Sequence, residues 1–468
     1  MENDEEGLNA HFPENIFSLF LNYYSNDYTS INDQVFSPVS AYVPKDLYNG
    51  NISLKGIKDP LASVESNYQY DQLNRLVGMQ AITPTNPDST KSYTNSYAYD
   101  PNGNLSKLTR NYSTLLGSTG LFDDLTYHYD YANEKSNRLL ALTDVANAGD
   151  GQLNDLTDQN ETNYAYDVLG QLTKDESATI EEISWTANGK VKEIKRSSGS
   201  TQPDLEFTYN SSGERIGKTV KLKNAAGYLM YPVDWEYYYY VHDASGNPMA
   251  IYQSKFTESN SLQSSRGLYA TEFPIYGQSR LGIYTPKSSS PHGKLSQTLT
   301  NYSNGSTHSL YNSFQPQNIA KTIYFGEKSY EISDYLGNIT AVLSDKGLYL
   351  DNDTMQKVAL SSSQDYYPFG MQMPGRSFSS ENYRYGFNGM EKDDEVKGQG
   401  NSYDFGARMY DSRIGRWLSI DPLFKKYPSW SPYNFAMNNP IMFIDPDGNE
   451  VYIHGADANK AVAALKMK

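Results

Sequence analysis

Tyr97-Ala98-Tyr99-Asp100-Pro101-Asn102-Gly103-Asn104-Leu105 is the stretch on which the reading of the fold depends. Residues two apart point to the same face of a strand, so Tyr97 and Tyr99 begin an aromatic stripe. Asp100 then opens a turn: Asp suits its first position, Pro101 presets φ at the second, and Gly103 fills the fourth. This is the sequence of a type I turn closed by a left-handed residue, a hairpin loop that carries a bulge. Leu105 starts the return strand.

The unit recurs as Tyr68-Gln69-Tyr70-Asp71-Gln72-Leu73-Asn74-Arg75-Leu76 and as Tyr164-Ala165-Tyr166-Asp167-Val168-Leu169-Gly170-Gln171-Leu172. Its second half returns in Asp334-Tyr335-Leu336-Gly337-Asn338-Ile339, and looser copies lie at 127–130, 207–213 and 243–246. Asn74 replaces the glycine in one copy, and asparagine is the other residue that tolerates the left-handed region. The first tyrosine pairs begin at 68, 97 and 127, a step of about thirty residues, or one hairpin per step. The turn positions are therefore Asp71 and Asn74, Asp100 and Gly103, Asp167 and Gly170, and Asp334 and Gly337. A lone hairpin cannot bury its aromatic face, so each needs its neighbours. A β-propeller or β-helix is the alternative architecture, but blades of about 40–50 residues with their own signatures are not found.

Composition agrees with an all-β chain: 42 Tyr against 17 Phe and 4 Trp, with 34 Gly, at a mean hydropathy of -0.67. Tyrosine suits a pleated surface, because its ring buries area while its hydroxyl bonds or stays wet. At 468 residues the chain exceeds what one core usually serves. A net charge of -16 without a basic run argues against nucleic acid and anionic membranes as partners. With no cysteine, and with His11, His128, His242, His292, His308 and His454 scattered, neither a metal nor a cofactor is expected. The opening Met1-Glu2-Asn3-Asp4-Glu5-Glu6 is acidic where a secretory signal is basic, and Ile16 to Leu21 is too short to span a bilayer. Strand-like sequence over Phe17 to Tyr28 suggests that Met1 lies inside a longer gene.

The pattern Tyr-x-Tyr-Asp-x-x-Gly-x-Leu resembles the YD repeat of Rhs proteins, insecticidal toxin-complex components and teneurins, loosely from about residue 15 to 380. The resemblance implies hairpins wound into one spiralling sheet that forms part of a hollow shell. A second resemblance begins at Tyr383-Arg384-Tyr385-Gly386-Phe387-Asn388-Gly389. It continues through Tyr403-Asp404-Phe405-Gly406-Ala407-Arg408-Met409-Tyr410-Asp411-Ser412-Arg413-Ile414-Gly415-Arg416-Trp417-Leu418-Ser419-Ile420-Asp421-Pro422. Ser431-Pro432-Tyr433-Asn434-Phe435-Ala436-Met437-Asn438-Asn439-Pro440 and Asp445-Pro446-Asp447-Gly448 close it. This block is similar to the Rhs repeat-associated core domain, which implies a plug in the end of the shell.

In many members that plug is also an aspartic-type autoprotease that cuts just past the last Asp-Pro-x-Gly and frees a C-terminal toxin. Such chemistry requires two carboxylates that share one proton. The resemblance puts Asp421 first and Asp411 second, with Arg408 and Arg416 as supporting cations and the cut at Gly448 or Asn449. A turn over 412–415 pairs Asp411 with a residue near Arg416 and leaves Asp421 further along, so only the tertiary fold can unite them. The plain alternative is that Asp411 caps a turn and Asp421 precedes Pro422 for conformational reasons. Met409 stands where self-cleaving relatives can carry an acid, Asn449 and Glu450 stand where many are apolar, and Leu423-Phe424 lacks a glycine. All three weigh against cleavage.

The expected division is N-terminal strands over 1–60 continuing a longer shell, a repeat shell over 61–380, the core plug over 381–448, and a remnant over 449–468. That remnant, with a helix-prone stretch from Ala456 to Lys466, is too short to fold alone. The leading expectation is therefore a shell and plug fragment of a polymorphic toxin, secreted or at the cell surface as part of a larger product. Its partners would be a missing C-terminal toxin domain and further upstream repeats. The alternatives are a single-turnover autoprotease and a carbohydrate-binding module whose tyrosines stack on sugars.

Overall fold

The computed structural model describes residues 18–24, 45–58, 63–82, 93–113, 119–132, 135–146, 155–257, 265–286, 293–295, 314–316, 326–349, 356–379 and 383–453. His11, His292, His308, His454 and the stretch from Ala456 to Lys466 lie outside them. The regular structure of the described residues is nearly all strand, and their one α-helix, Asp394–Lys397, is a single turn. It forms two compact units. The first takes 1–177, 332–341 and 360–468, and the second takes 178–331 and 342–359.

In the first unit an antiparallel meander runs in sequence order through β1 (Ser18–Asn22), β2 (Leu54–Lys58), β3 (Ser63–Tyr70), β4 (Leu76–Ile82), β5 (Asn95–Tyr99), β6 (Leu105–Ser113), β7 (Thr119–Asp130) and β8 (Lys135–Asp144). The repeat sequence joins β3 to β4 and β5 to β6. Gly103 sits at φ +78°, its amide bonds the Asp100 carbonyl at 3.0 Å, and Asp100 Oδ1 accepts from the amides of Asn102 and Asn104 at 2.9 Å. Asp71 with Asn74 (φ +62°), Asp167 with Gly170 (+83°) and Asp334 with Gly337 (+78°) repeat the arrangement. The register slips by one residue between Ala98 and Tyr99, opposite Leu105, which is the bulge the turn requires.

The tyrosine pair divides its labour. Tyr68, Tyr97, Tyr127 and Tyr129 are buried, as are Leu76, Leu105, Leu108, Leu125 and Leu139. The second tyrosine of each pair donates its hydroxyl to a carbonyl of the preceding hairpin: Tyr70 to Ile52 at 2.9 Å, Tyr99 to Leu76 at 2.6 Å, and Tyr129 to Leu105 at 2.6 Å. Phenylalanine would fill the same space but leave that carbonyl with one donor fewer, which favours tyrosine at this position.

The second unit is another antiparallel meander, through Ile180–Trp185, Val191–Arg196, Asp204–Tyr209, Arg215–Lys221, Glu236–His242, Pro248–Thr257, Ser265–Tyr276 and Arg280–Tyr284. Ile183, Ile194, Leu205, Phe207, Val220 and Ile251 form its core. The hydroxyl device recurs there, Tyr209 to the Val191 carbonyl at 2.9 Å and Tyr276 to that of Pro248 at 3.0 Å. So does the turn, where Asp243 Oδ1 accepts from the amides of Ser245 and Asn247 and Gly246 lies at φ +87°.

The block from Tyr383 onward belongs to the first unit. Its short strands Glu391–Lys392, Ser402–Asp404, Met409–Asp411 and Arg416–Trp417 form a four-stranded sheet. Phe387, Phe405, Tyr410, Trp417 and Phe435 pack ring against ring with centroids 4.4 to 6.2 Å apart. Apolar area held in so short a stretch of irregular chain is what makes the block rigid enough to position side chains.

Candidate functional site

Two sets of side chains project from this aromatic cluster. The first grips the repeat turns of its own unit. Asn439 Nδ2 donates to the Asn74 carbonyl at 2.8 Å, Asn438 Nδ2 to that of Gly103 at 2.7 Å, and the Tyr433 hydroxyl to that of Gly170 at 2.7 Å. Asn388 Nδ2 donates to the Leu336 carbonyl at 3.0 Å, while its amide bonds Asn338 Oδ1 at 2.8 Å. The four turns at Asp71, Asp100, Asp167 and Asp334 thus each end on a polar group of the block. Presenting Asn438 and Asn439 side by side takes an unusual backbone: Ala436, Met437 and Asn438 all lie in the left-handed region, at φ +47°, +51° and +58°. Strain of this kind costs roughly 1–2 kcal/mol per residue and persists only where the surroundings enforce it. Arg416 adds a further tie. It donates to the Tyr129 hydroxyl at 3.0 Å and the Asn137 carbonyl at 2.7 Å, with its guanidinium over the rings of Tyr129 and Tyr433.

The second set is a pair of carboxylates on one arginine. Arg408, buried and stacked 4.1 Å over Trp417, reaches Asp445 Oδ2 at 3.1 Å and Asp421 Oδ2 at 3.5 Å through Nη2. Its Nε donates to the Gly448 carbonyl at 2.5 Å. The Asp445 side chain is 0% exposed and that of Asp421 16%. Burial pushes the Asp445 carboxyl up to about 6, Arg408 opposes the rise and Asp447 adds to it. One carboxyl near neutrality beside a wetter one on the same cation is the asymmetry that general acid–base hydrolysis uses. A small cavity lined by Arg408, Asp421, Phe424, Tyr427, Trp430 and Asn434 adjoins them.

The expected partnership of Asp411 with Asp421 is corrected by this geometry. Asp411 does pair with Arg416 across the turn in backbone register. Its carboxylate, however, turns to Lys397 Nζ at 2.7 Å and Arg413 at 3.5 Å, while Lys397 also holds Asp175 at 2.6 Å. Burial alone would raise the Asp411 carboxyl, but Lys397 and then Arg413 outweigh it and hold it below its ordinary range. A carboxylate so held is a structural anion. Arg416, expected beside the carboxylates, spends its donors on Tyr129 and Asn137 instead. Met409 is buried in the strand Met409–Asp411. Asp421 also caps its own turn, Oδ1 accepting from the Leu423 amide at 2.6 Å. Asp445, Lys397, Asn438, Asn439 and Tyr433 were not singled out by sequence, although all but Lys397 lie in the quoted motifs.

The repeated turn, the hydroxyl ladder and the gripping block define an all-β repeat protein held by its own C-terminal block, and sequence comparison finds it similar to toxin subunits. Toxin subunit YenC1 of Yersinia entomophaga is 27% identical over 413 residues, covering 82% of this chain and 33% of that protein. YenC2 of the same organism is 32% identical over 105 residues, covering 22% of this chain and 10% of that protein. Salivary gland surface protein 1 of Aedes aegypti is 25% identical over 294 residues, covering 62% of this chain and 7% of that protein. The chain thus spans a third or less of each. The crystal structure of TcdB2-TccC3-TEV aligns at a TM-score of 0.43 and 16% identity, over 85% of this chain and 18% of that one, a superposition too loose to support further argument. No family model matches the chain.

Proposed function

We propose that this chain is a segment of shell wall with its plug, from a secreted toxin-complex-like assembly that encloses or displays a C-terminal toxin. In this reading 61–380 is wall, 1–60 continues it, 381–448 is the plug, and 449–468 leads toward the variable region. The observation that carries it is the set of bonds from Asn388, Tyr433, Asn438 and Asn439 to the repeat turns. These bonds make the block a fixture of the wall. The full product of the native locus, imaged by electron cryomicroscopy, is expected to carry further repeats and a wall closed around enclosed density. An open sheet with its C-terminal domain in solvent would sink the proposal.

A second reading, one self-inflicted cut, is favoured by the meeting of Asp421, Asp445 and the Gly448 carbonyl on Arg408. Arg408 would polarise the Gly448 carbonyl and Asp421 would take a proton from water as its oxygen adds to that carbon. Asp445 would protonate the departing Asn449 nitrogen. The missing acid at Met409 and the polar Asn449 weigh against speed. Intact mass of the purified chain, held for about a day between roughly pH 5 and 8, separates the outcomes. An unchanged mass leaves the plug inert. Loss of the residues after Gly448, abolished by Asp421→Asn and Asp445→Asn but not by Asp411→Asn, makes it an autoprotease.

A further inference from the structure

The first unit holds another group of carboxylates, apart from Arg408. Asp123 of β7, Asp144 at the end of β8 and Asp155 each bring an oxygen to within 4.8 Å of the others. The sheet register accounts for two of them: Leu125 lies opposite Asp144, so Asp123, two residues before Leu125, is the diagonal neighbour on the same face. The third arrives with the segment that docks on β8, where the Gln159 amide bonds the Leu142 carbonyl at 3.1 Å and Asp158 Oδ1 accepts from the Asp144 amide at 2.6 Å.

Repulsion among three such groups calls for compensating charge, which at Asp123 comes from Arg110 and, more weakly, Arg413. Arg110 Nε donates to Asp123 Oδ2 at 2.6 Å. Asp123 is wholly buried, yet its Oδ1 meets no donor among the described residues. Asp144 Oδ1 is taken by the amides of Asp124 at 2.8 Å and Ala146 at 2.9 Å, but among the described residues its buried Oδ2 has no donor either. The nearby Lys107 is engaged by Asp124 at 3.0 Å. A buried carboxylate oxygen without a hydrogen bond is costly and uncommon unless something else occupies its lone pairs.

We propose that Asp123, Asp144 and Asp155 form a binding site for a hard divalent cation, with Ca²⁺ as the best match. The donors are all oxygen, without imidazole or thiolate, which disfavours zinc. They come from a strand, a strand end and a docked segment, an irregular set that suits the flexible coordination of Ca²⁺ better than the strict octahedron of Mg²⁺. Both strand carboxyls are already raised, Asp123 by burial against the pull of Arg110 and Asp144 by burial against its two amides, with neighbouring aspartates adding to each. A bound cation would remove that stress and fasten the segment from Asp155 to the β7–β8 edge. The inference does not depend on the shell reading.

The test uses the full chain, stripped with EDTA, dialysed, and titrated with CaCl₂ or MgCl₂ by calorimetry beside thermal melts. One Ca²⁺ per chain should bind with a dissociation constant at or below about 1 mM, raise the melting temperature, and outcompete Mg²⁺ by roughly tenfold. Asp144→Asn retains an acceptor for the two amides, so it should weaken Ca²⁺ by about tenfold or more while leaving the cation-free melt at or above the parent's. No uptake by the parent at about 5 mM Ca²⁺ would overturn the site, as would equal affinity in parent and variant. If circular dichroism finds Asp144→Asn unfolded, Asp155→Asn is read in its place, and unchanged affinity there overturns the site equally.

Discussion

The turn at Gly170 in the first unit and the turn at Gly199 in the second have almost the same backbone, φ +83° and +84°. Their surroundings could hardly differ more. A Cβ built on Gly170 would stand 2.7 Å from the Tyr433 hydroxyl and 2.8 Å from Ile420 Cγ2, whereas one on Gly199 meets nothing within 4 Å. The turn at Asp243 to Gly246 makes the same point from the other side: it carries the full set of aspartate bonds found at Asp100, yet Asp243 and Asn247 are exposed. Local sequence therefore writes the turn, and the C-terminal block decides which turns become fixed points of the structure.

The largest expected effect breaks that comparison if it fails. Gly170→Val faces left-handed strain plus two contacts below 3 Å, so the strands around it should lose about 3–5 kcal/mol of protection in hydrogen exchange. Gly199→Val faces strain alone and should cost its own strands about 1–2 kcal/mol. Val168→Ala, inside the Gly170 turn but 93% exposed, should change little. Equal losses at Gly170 and Gly199 would mean that the block does not confine the turn.

The next effect depends on pH. The ordinary carboxyl value of Asp445 is 3.8 and its folded value about 6, so the folded chain binds the extra proton between those limits. Stability is then greatest below the unfolded value and falls as pH rises through about 6, by on the order of 2–3 kcal/mol at most. Asp445→Asn lacks this dependence. The variant's melting temperature relative to the parent should climb between about pH 4 and 7.5, and a flat difference would remove the case for a raised carboxyl. Asp175 and Asp411, held low by Lys397 despite their burial, lose stability in the opposite sense as pH falls through the acid range. Only the difference between parent and variant isolates Asp445.

A third measurement sharpens the contrast between gripped and free turns. Asn438→Ala removes the bond to Gly103 and puts alanine at φ +58°, for an expected loss of about 2 kcal/mol felt at β5 and β6. Asn247→Ala removes only an exposed bond to Asp243 Oδ2 at 3.0 Å and should cost less than about 1 kcal/mol. Comparable losses would contradict the clamp.

What sequence revealed and what it concealed divides along the same line. The turns were legible because Asp100, Pro101 and Gly103 act within a few residues of one another, by rules that need no tertiary partner. The register of Asp411 with Arg416 was legible for the same reason. The clamps were not, since Asn438 meets Gly103 across 335 positions and Asn439 meets Asn74 across 365. Asp445 is hidden in the sequence because Asp-Pro-Asp-Gly reads first as a turn, and only folding brings it to Arg408 beside Asp421. Lys397 claimed Asp411 from a helical turn outside the quoted motifs. The carboxylates at Asp123, Asp144 and Asp155 include no histidine or cysteine to mark them in sequence, and only the strand register and the docked segment bring them together.

The smallest expected effect concerns the second tyrosine of the repeat. Tyr99 spans a hairpin boundary, its hydroxyl 2.6 Å from the Leu76 carbonyl while Arg75 lies 4.7 Å above its ring. Tyr99→Phe keeps the ring and the cation contact but leaves the carbonyl with one partner fewer, so the expected loss is about 1 kcal/mol. Tyr209→Phe, whose hydroxyl meets the Val191 carbonyl at 2.9 Å in the second unit, should lose about the same. Here the two units should agree, because the hydroxyl joins hairpin to hairpin and involves no residue of the block. Both losses can be read by hydrogen exchange at the amides of the bonded strands. A loss confined to Tyr99 would mean that the ladder matters only where the block already fixes the turns, and the two units would then differ in their strands as well as at their turns.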